Sequence, residues 1–201
     1  RSLAMPYFAW AARAAGNQDA RVWTNLGNIF SLNNLSDSAL LAYKKGAALD
    51  PNSILAKVQI ALLSLTGPNP SRSVPWLKEL AAVKKFPPHM AIRLGDALLK
   101  CGSYRASSLF YEKAMFGDPG TVGMGLNGIG LSHFNRREWS AAISSLSRAL
   151  LIQPDHKSYN EAWVYTLIKA QVNSYDQWLP RIICICMPNI SLCSALIEKT
   201  M

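Results

Sequence analysis

Asn25, Gln59 and Arg93 follow one another at intervals of 34 residues. Other polar side chains accompany them: Asn28 and Asp96 three residues on, Arg21 and His89 four residues before. Asn127 falls one place short of where the interval would put a fourth member. Amide and guanidinium groups repeated at a fixed spacing can hydrogen-bond an extended peptide backbone. A guanidinium can also pair a carboxylate through two parallel bonds. Asp96 stands where it can pair with Arg93 and hold it while no partner is bound.

The remaining candidate motifs offer less. Gly123, Gly125 and Gly128 spell GxGxxG, but a dinucleotide site needs a strand before that loop and a helix after it. No strand pattern precedes these glycines. Cys184, Cys186 and Cys193 are three thiols, whereas a structural zinc site needs four ligands, and the nearest histidine is His156. They read as small buried hydrophobes. His89, His133 and His156 are isolated, with no serine or cysteine in a nucleophile's setting. Asn34-Leu-Ser36 and Asn189-Ile-Ser191 fit the glycosylation acceptor, a match that carries weight only once the compartment is known. The expectation is a chain with no catalytic residue, metal site or cofactor.

A polar set with a 34-residue period requires elements that recur with it. In the segment 20–53, Trp23, Leu26, Gly27 and Phe30 lie at helical spacing, as do Ala39, Tyr43 and Leu49, and Pro51 closes the unit. A step of 68 residues carries Leu26-Gly27 to Leu94-Gly95, Tyr43 to Tyr111 and Pro51 to Pro119. One further unit, shifted by a residue, holds Gly130, Trp139, Ala142, Ala149 and Pro154. Gly27, Gly95 and Gly130 remove a side chain where a paired helix must come close. Ala39, Ala114, Ala142 and Ala149 do the same from the other side, and Trp23, Tyr43, Tyr111 and Trp139 fill the gaps. Pro51, Pro119 and Pro154 are expected to end second helices. No such pair buries itself alone, so the units must stack into a continuous core.

These residues resemble the tetratricopeptide repeat, a 34-residue helix pair with Trp, Leu-Gly and an aromatic on its first helix and Ala, Phe, Ala and Pro on its second. The resemblance implies an all-α fold, a right-handed α-solenoid of antiparallel helix pairs. It spans roughly 20–172, with full units at 20–53, 88–122 and 123–156 and a degenerate one at 54–87, interrupted by Gly67-Pro68-Asn69-Pro70-Ser71. Residues 1–19 read as the second helix of a partial preceding unit, 157–178 as a partial unit or capping helix, and 179–201 as an apolar tail. That tail is too apolar for a solenoid cap. It is expected to cover the last pair or to join a second molecule.

In the family, the position of Asn25, Gln59 and Arg93 lines the concave groove. The resemblance therefore implies a peptide-binding set of Arg21, Asn25, Asn28, Gln59, His89, Arg93, Asp96 and Asn127. Chaperone-binding members clamp a terminal carboxylate with Lys and Asn. Asn28 and Arg93 match that clamp, and Thr24 replaces its first lysine. The implied role is a non-catalytic scaffold or adaptor for a peptide or helical segment. The alternative is the substrate-selecting array of a larger enzyme such as a glycosyltransferase.

Composition agrees with a packed interaction domain. Half of the 201 residues are hydrophobic and 16% are charged, with no sign of global disorder. The net charge of +9 is spread over pairs such as Lys44-Lys45, Lys84-Lys85 and Arg136-Arg137. That is not a nucleic-acid arm. It suits an acidic or carboxylate-ended protein partner drawn in at long range. No apolar run is long enough to span a bilayer. Four cysteines, three of them near the end, are not a disulfide framework, which favours a cytoplasmic setting over a secreted one.

Overall fold

The computed structural model describes residues 18–173. Within them lie nine α-helices and no strand: α1 Ala20–Leu32, α2 Ser36–Leu49, α3 Ile54–Thr66, α4 Val74–Ala82, α5 Pro88–Lys100, α6 Tyr104–Lys113, α7 Pro119–Asn135, α8 Trp139–Ile152 and α9 Lys157–Asn173. Short 3₁₀ turns occupy Pro70–Ser73 and Ala114–Phe116. The partial helix expected ahead of Ala20, the apolar tail and its thiols lie outside the described residues.

Local chemistry sets the helix boundaries. Asp19, Ser53 and Asp118 cap α1, α3 and α7, accepting the amides of Arg21 at 2.8 Å, Ala56 at 3.4 Å and Thr121 at 3.0 Å. Pro51 and Pro154 stand two residues beyond α2 and α8. Pro119 departs from the expectation: it opens α7, at the first helical position, where its missing N–H is no loss. The preceding helix has already tightened into the 3₁₀ turn and ended before the extended Gly117. Three of the turns inside pairs share one left-handed residue: Asn34 (φ 60°), Gly102 (φ 74°) and Arg137 (φ 60°). The second helix starts two residues after each.

Close approach between paired helices rests on the expected glycines. A Cβ on Gly27 would come within 2.5 Å of the Tyr43 ring, one on Gly95 within 2.7 Å of Tyr111, and one on Gly130 within 2.6 Å of Leu146. Ala39, Ala114, Ala142 and Ala149 are fully buried opposite. The core then runs on from unit to unit. Tyr43 packs with Ile60, Val58 with Leu94 and Phe110, and Leu126 with Leu146 and Trp163. Between the last two groups, Tyr111 reaches across to α7.

From α3 onward the first helices of successive pairs (α3, α5, α7 and α9) pack directly on one another, whereas second helices do not approach each other as closely. The layer of first helices is therefore the shorter, inner arc of the solenoid. The interrupted unit differs from the rest. Its second helix α4 packs on α3 and approaches α5 less closely, leaving an outer cleft of about 600 Å³ lined by Leu65, Leu77, Leu98 and Phe110.

Candidate functional site on the inner face

The exposed stripe of the first helices follows from their period. On α1 it runs through Arg21, Asn25, Asn28 and Leu32, and on α5 through His89, Arg93, Asp96 and Lys100, each set spaced three or four residues apart. On α3 Gln59 holds the matching place.

Three of these side chains join into one hydrogen-bonded row across three helices. Asn28 Oδ1 accepts from the Tyr43 hydroxyl at 2.8 Å and from Gln59 Nε2 at 3.3 Å. Gln59 Oε1 accepts from Arg93 Nη2 at 3.4 Å. Burial pushes the Tyr43 phenol up, while the nearby charge of Arg93 pulls it the other way.

Asp96 does not join the row. It was expected beside Arg93 as its ion pair, but it accepts from the Tyr111 hydroxyl at 2.6 Å. The physical reason lies beneath the surface. Tyr111 is only 1% exposed, and a buried hydroxyl without an acceptor is costly. Its position under α5 offers Asp96, and Arg93 extends toward α3 instead. Burial, and then the bond to Asp96, push the Tyr111 phenol far up. The pairs Tyr43–Asn28 and Tyr111–Asp96 are the same device two units apart, since both members step by 68 residues. Sequence reasoning missed the two tyrosines as parts of the site. The common 15-residue offset within each pair is the signal that could have found them.

The other expected residues stand apart from this row. Arg21 is exposed and pairs with Asp19 at 3.5 Å. Asn25 and His89 are exposed on the same face. Asn127 is half-buried, and its Oδ1 is buried without a hydrogen-bond partner. The unit shift of one residue puts Gly128, not Asn127, at the place of Arg93.

The three glycines of the GxGxxG pattern all lie inside α7. Gly123 faces Tyr159, while Gly125 and Gly128 face α6, where a Cβ at 128 would collide with the Tyr111 ring. They are packing residues, not a phosphate loop. Among the described residues no group of His, Cys, Asp or Glu is placed to hold a metal, and no helix is long and apolar enough to cross a membrane. His133 lies 2.6 Å from Glu138, which also pairs with Arg136 at 2.6 Å.

A family model for the tetratricopeptide repeat matches residues 20–53. No curated protein matches the sequence significantly. Among solved structures, MamA protein superposes with a TM-score of 0.62 at 17% identity, over 88% of this chain and 87% of that one. Pseudomonas aeruginosa pilF gives 0.60 at 15% identity, over 76% and 69%. The APC/C hetero-tetramer Cut9-Hcn1 gives 0.59 at 16% identity, over all of this chain and 39% of that one. At such identities the likeness speaks for the fold. The tetratricopeptide repeat model thus matches the one unit at 20–53, and the chain as described shares the fold of these structures, an α-solenoid of helix pairs.

Proposed function

We propose that the chain is a non-catalytic scaffold or adaptor that holds a peptide or helical segment on the inner face of its first helices. The observation that carries this reading is the row Tyr43–Asn28–Gln59–Arg93, which ties four helices together through polar groups and reaches solvent at Arg93. Gln59 restrains Arg93, so less side-chain freedom is lost when a partner binds. A guanidinium has five donors, and one bond to Gln59 leaves the others for a carboxylate or backbone carbonyls. The surplus of positive charge draws acidic segments toward the face.

The test compares proteins retained by the wild type and by Arg93→Glu, followed by calorimetry on a retained partner. Arg93→Ala should weaken binding by one to two decades, because a charge-assisted pair contributes about 1.5–3 kcal/mol. The loss should shrink as salt rises. Lys44→Ala is the control on the outer face. Lys45 is unsuitable because its ammonium sits 4.0 Å over the Trp23 ring. Equal affinities for Arg93→Ala and Lys44→Ala would place the binding surface elsewhere.

A further inference from the structure

The exposed stripe changes character along the solenoid. On α1, α3 and α5 its central places hold Asn25, Asn28, Gln59, Leu62, Arg93 and Asp96, polar in all but one. On α7 the same line runs through Met124, the buried Gly128 and Leu131, and on α9 through Glu161, Tyr165 and Ile168. Met124, Tyr165 and Ile168 are 45%, 52% and 40% exposed, and Leu131 is half-buried. Phe134 lies 5.4 Å from the Tyr165 ring and extends the apolar surface between the two helices. Large apolar side chains are exposed elsewhere too, as at Leu32, Leu41, Phe116 and Leu151, but those of α7 and α9 lie on neighbouring first helices of the inner face, and apolar side chains gathered on one face mark an interaction site. Here they continue directly from the polar row.

We infer that the inner face reads a bipartite segment, with an acidic residue at Arg93 and a large apolar side chain seated on Met124 or, one helix further, on Tyr165 and Ile168. This rests on the proposed groove function and names its partner's chemistry. Charge selects the acidic end: Arg93 is held by Gln59, while Asp96 beside it is committed to Tyr111 and can still accept a peptide N–H. Spacing follows from helix packing. Neighbouring packed helices lie about 8–10 Å apart, so α5 to α9 is two steps, about 16–20 Å. An extended chain covers that in about five or six residues at about 3.3 Å each. Met124, one step away, is reached after about three.

The probe is a displayed library of random linear dodecapeptides, selected in parallel on the wild type, Arg93→Ala, Met124→Ser and Tyr165→Ser, each checked for helical content. Enriched peptides are then measured one by one by fluorescence anisotropy. Wild-type selection should enrich Asp or Glu placed three to six residues from a large apolar residue. Arg93→Ala should weaken those peptides about tenfold or more, and so should Met124→Ser or Tyr165→Ser. Met124→Ser leaves the Phe134–Tyr165 contact intact, so it remains informative if Tyr165→Ser unfolds. Peptides that depend on Arg93 but bind both serine variants as tightly as wild type would overturn the bipartite reading and leave the groove standing. Peptides indifferent to all three substitutions, or no enrichment at all, would overturn both.

Discussion

Gly128→Ala sets two known effects against each other at one atom. In an ordinary helix interior the change stabilises by about 1 kcal/mol, because alanine is the better helix former. Here the new methyl would collide with the ring of Tyr111, which is 1% exposed. The ring cannot retreat. On its far side a Cβ at Gly95 would already be only 2.7–2.8 Å from it, and its hydroxyl is held by Asp96 at 2.6 Å. Overpacking a tight core costs about 1–3 kcal/mol, and a site blocked on both faces belongs at the upper end. The net expectation is a loss of about 2 kcal/mol, a fall of about 4–8 °C in Tm for a domain of this size. Tyr111→Leu supplies the test of cause, since Leu146 fills the equivalent place against Gly130 in the next unit. In that background Gly128→Ala should be neutral or stabilising, a coupling of 1 kcal/mol or more in a double-mutant cycle. Urea and thermal midpoints of the four proteins decide it. A raised midpoint for Gly128→Ala alone, or the same cost in both backgrounds, would refute the wedged-ring account.

Arg137 holds φ 60° where the equivalent turn uses Gly102 at φ 74°. Arg137→Gly should therefore stabilise by about 0.5–1 kcal/mol, and Asn34→Gly by less, since asparagine tolerates this region better; a lower midpoint for Arg137→Gly would contradict this. Glu138 is held below the usual carboxylate range, first by its hydrogen bond with His133 and then by the Arg136 charge. A lowered carboxylate pKa contributes stability above its ordinary value and loses it as pH falls through the lowered one. Glu138→Gln should thus be less stable than wild type at pH 7 and converge with it at strongly acidic pH, as read from urea midpoints. A gap that persists or widens in acid would count against the pairing.

The repeat was legible because its signals are local and short in range. Helix caps, glycines at Gly27, Gly95 and Gly130, buried alanines and post-helical prolines each act within a few residues, and their 34-residue recurrence fixes the fold before any contact is known. Sequence also put Asn25, Gln59 and Arg93 at one place of the repeat, because the 34-residue step carries each to the same position on its own first helix. It could not say which neighbour each polar group takes. Asp96 is three residues from Arg93, yet it belongs to Tyr111, because a buried hydroxyl's need for an acceptor outweighs an exposed ion pair in water. Pro119 looked like an ending and is a beginning, since the same ring serves both and only the capped helix after it decides. Asn127 and Gly128 differ by one residue. Whether that slip puts an amide or a glycine over Tyr111 depends on how α7 docks on α6, and so does the change of the inner face from polar to apolar, because docking between units sets which stripe of each helix meets solvent.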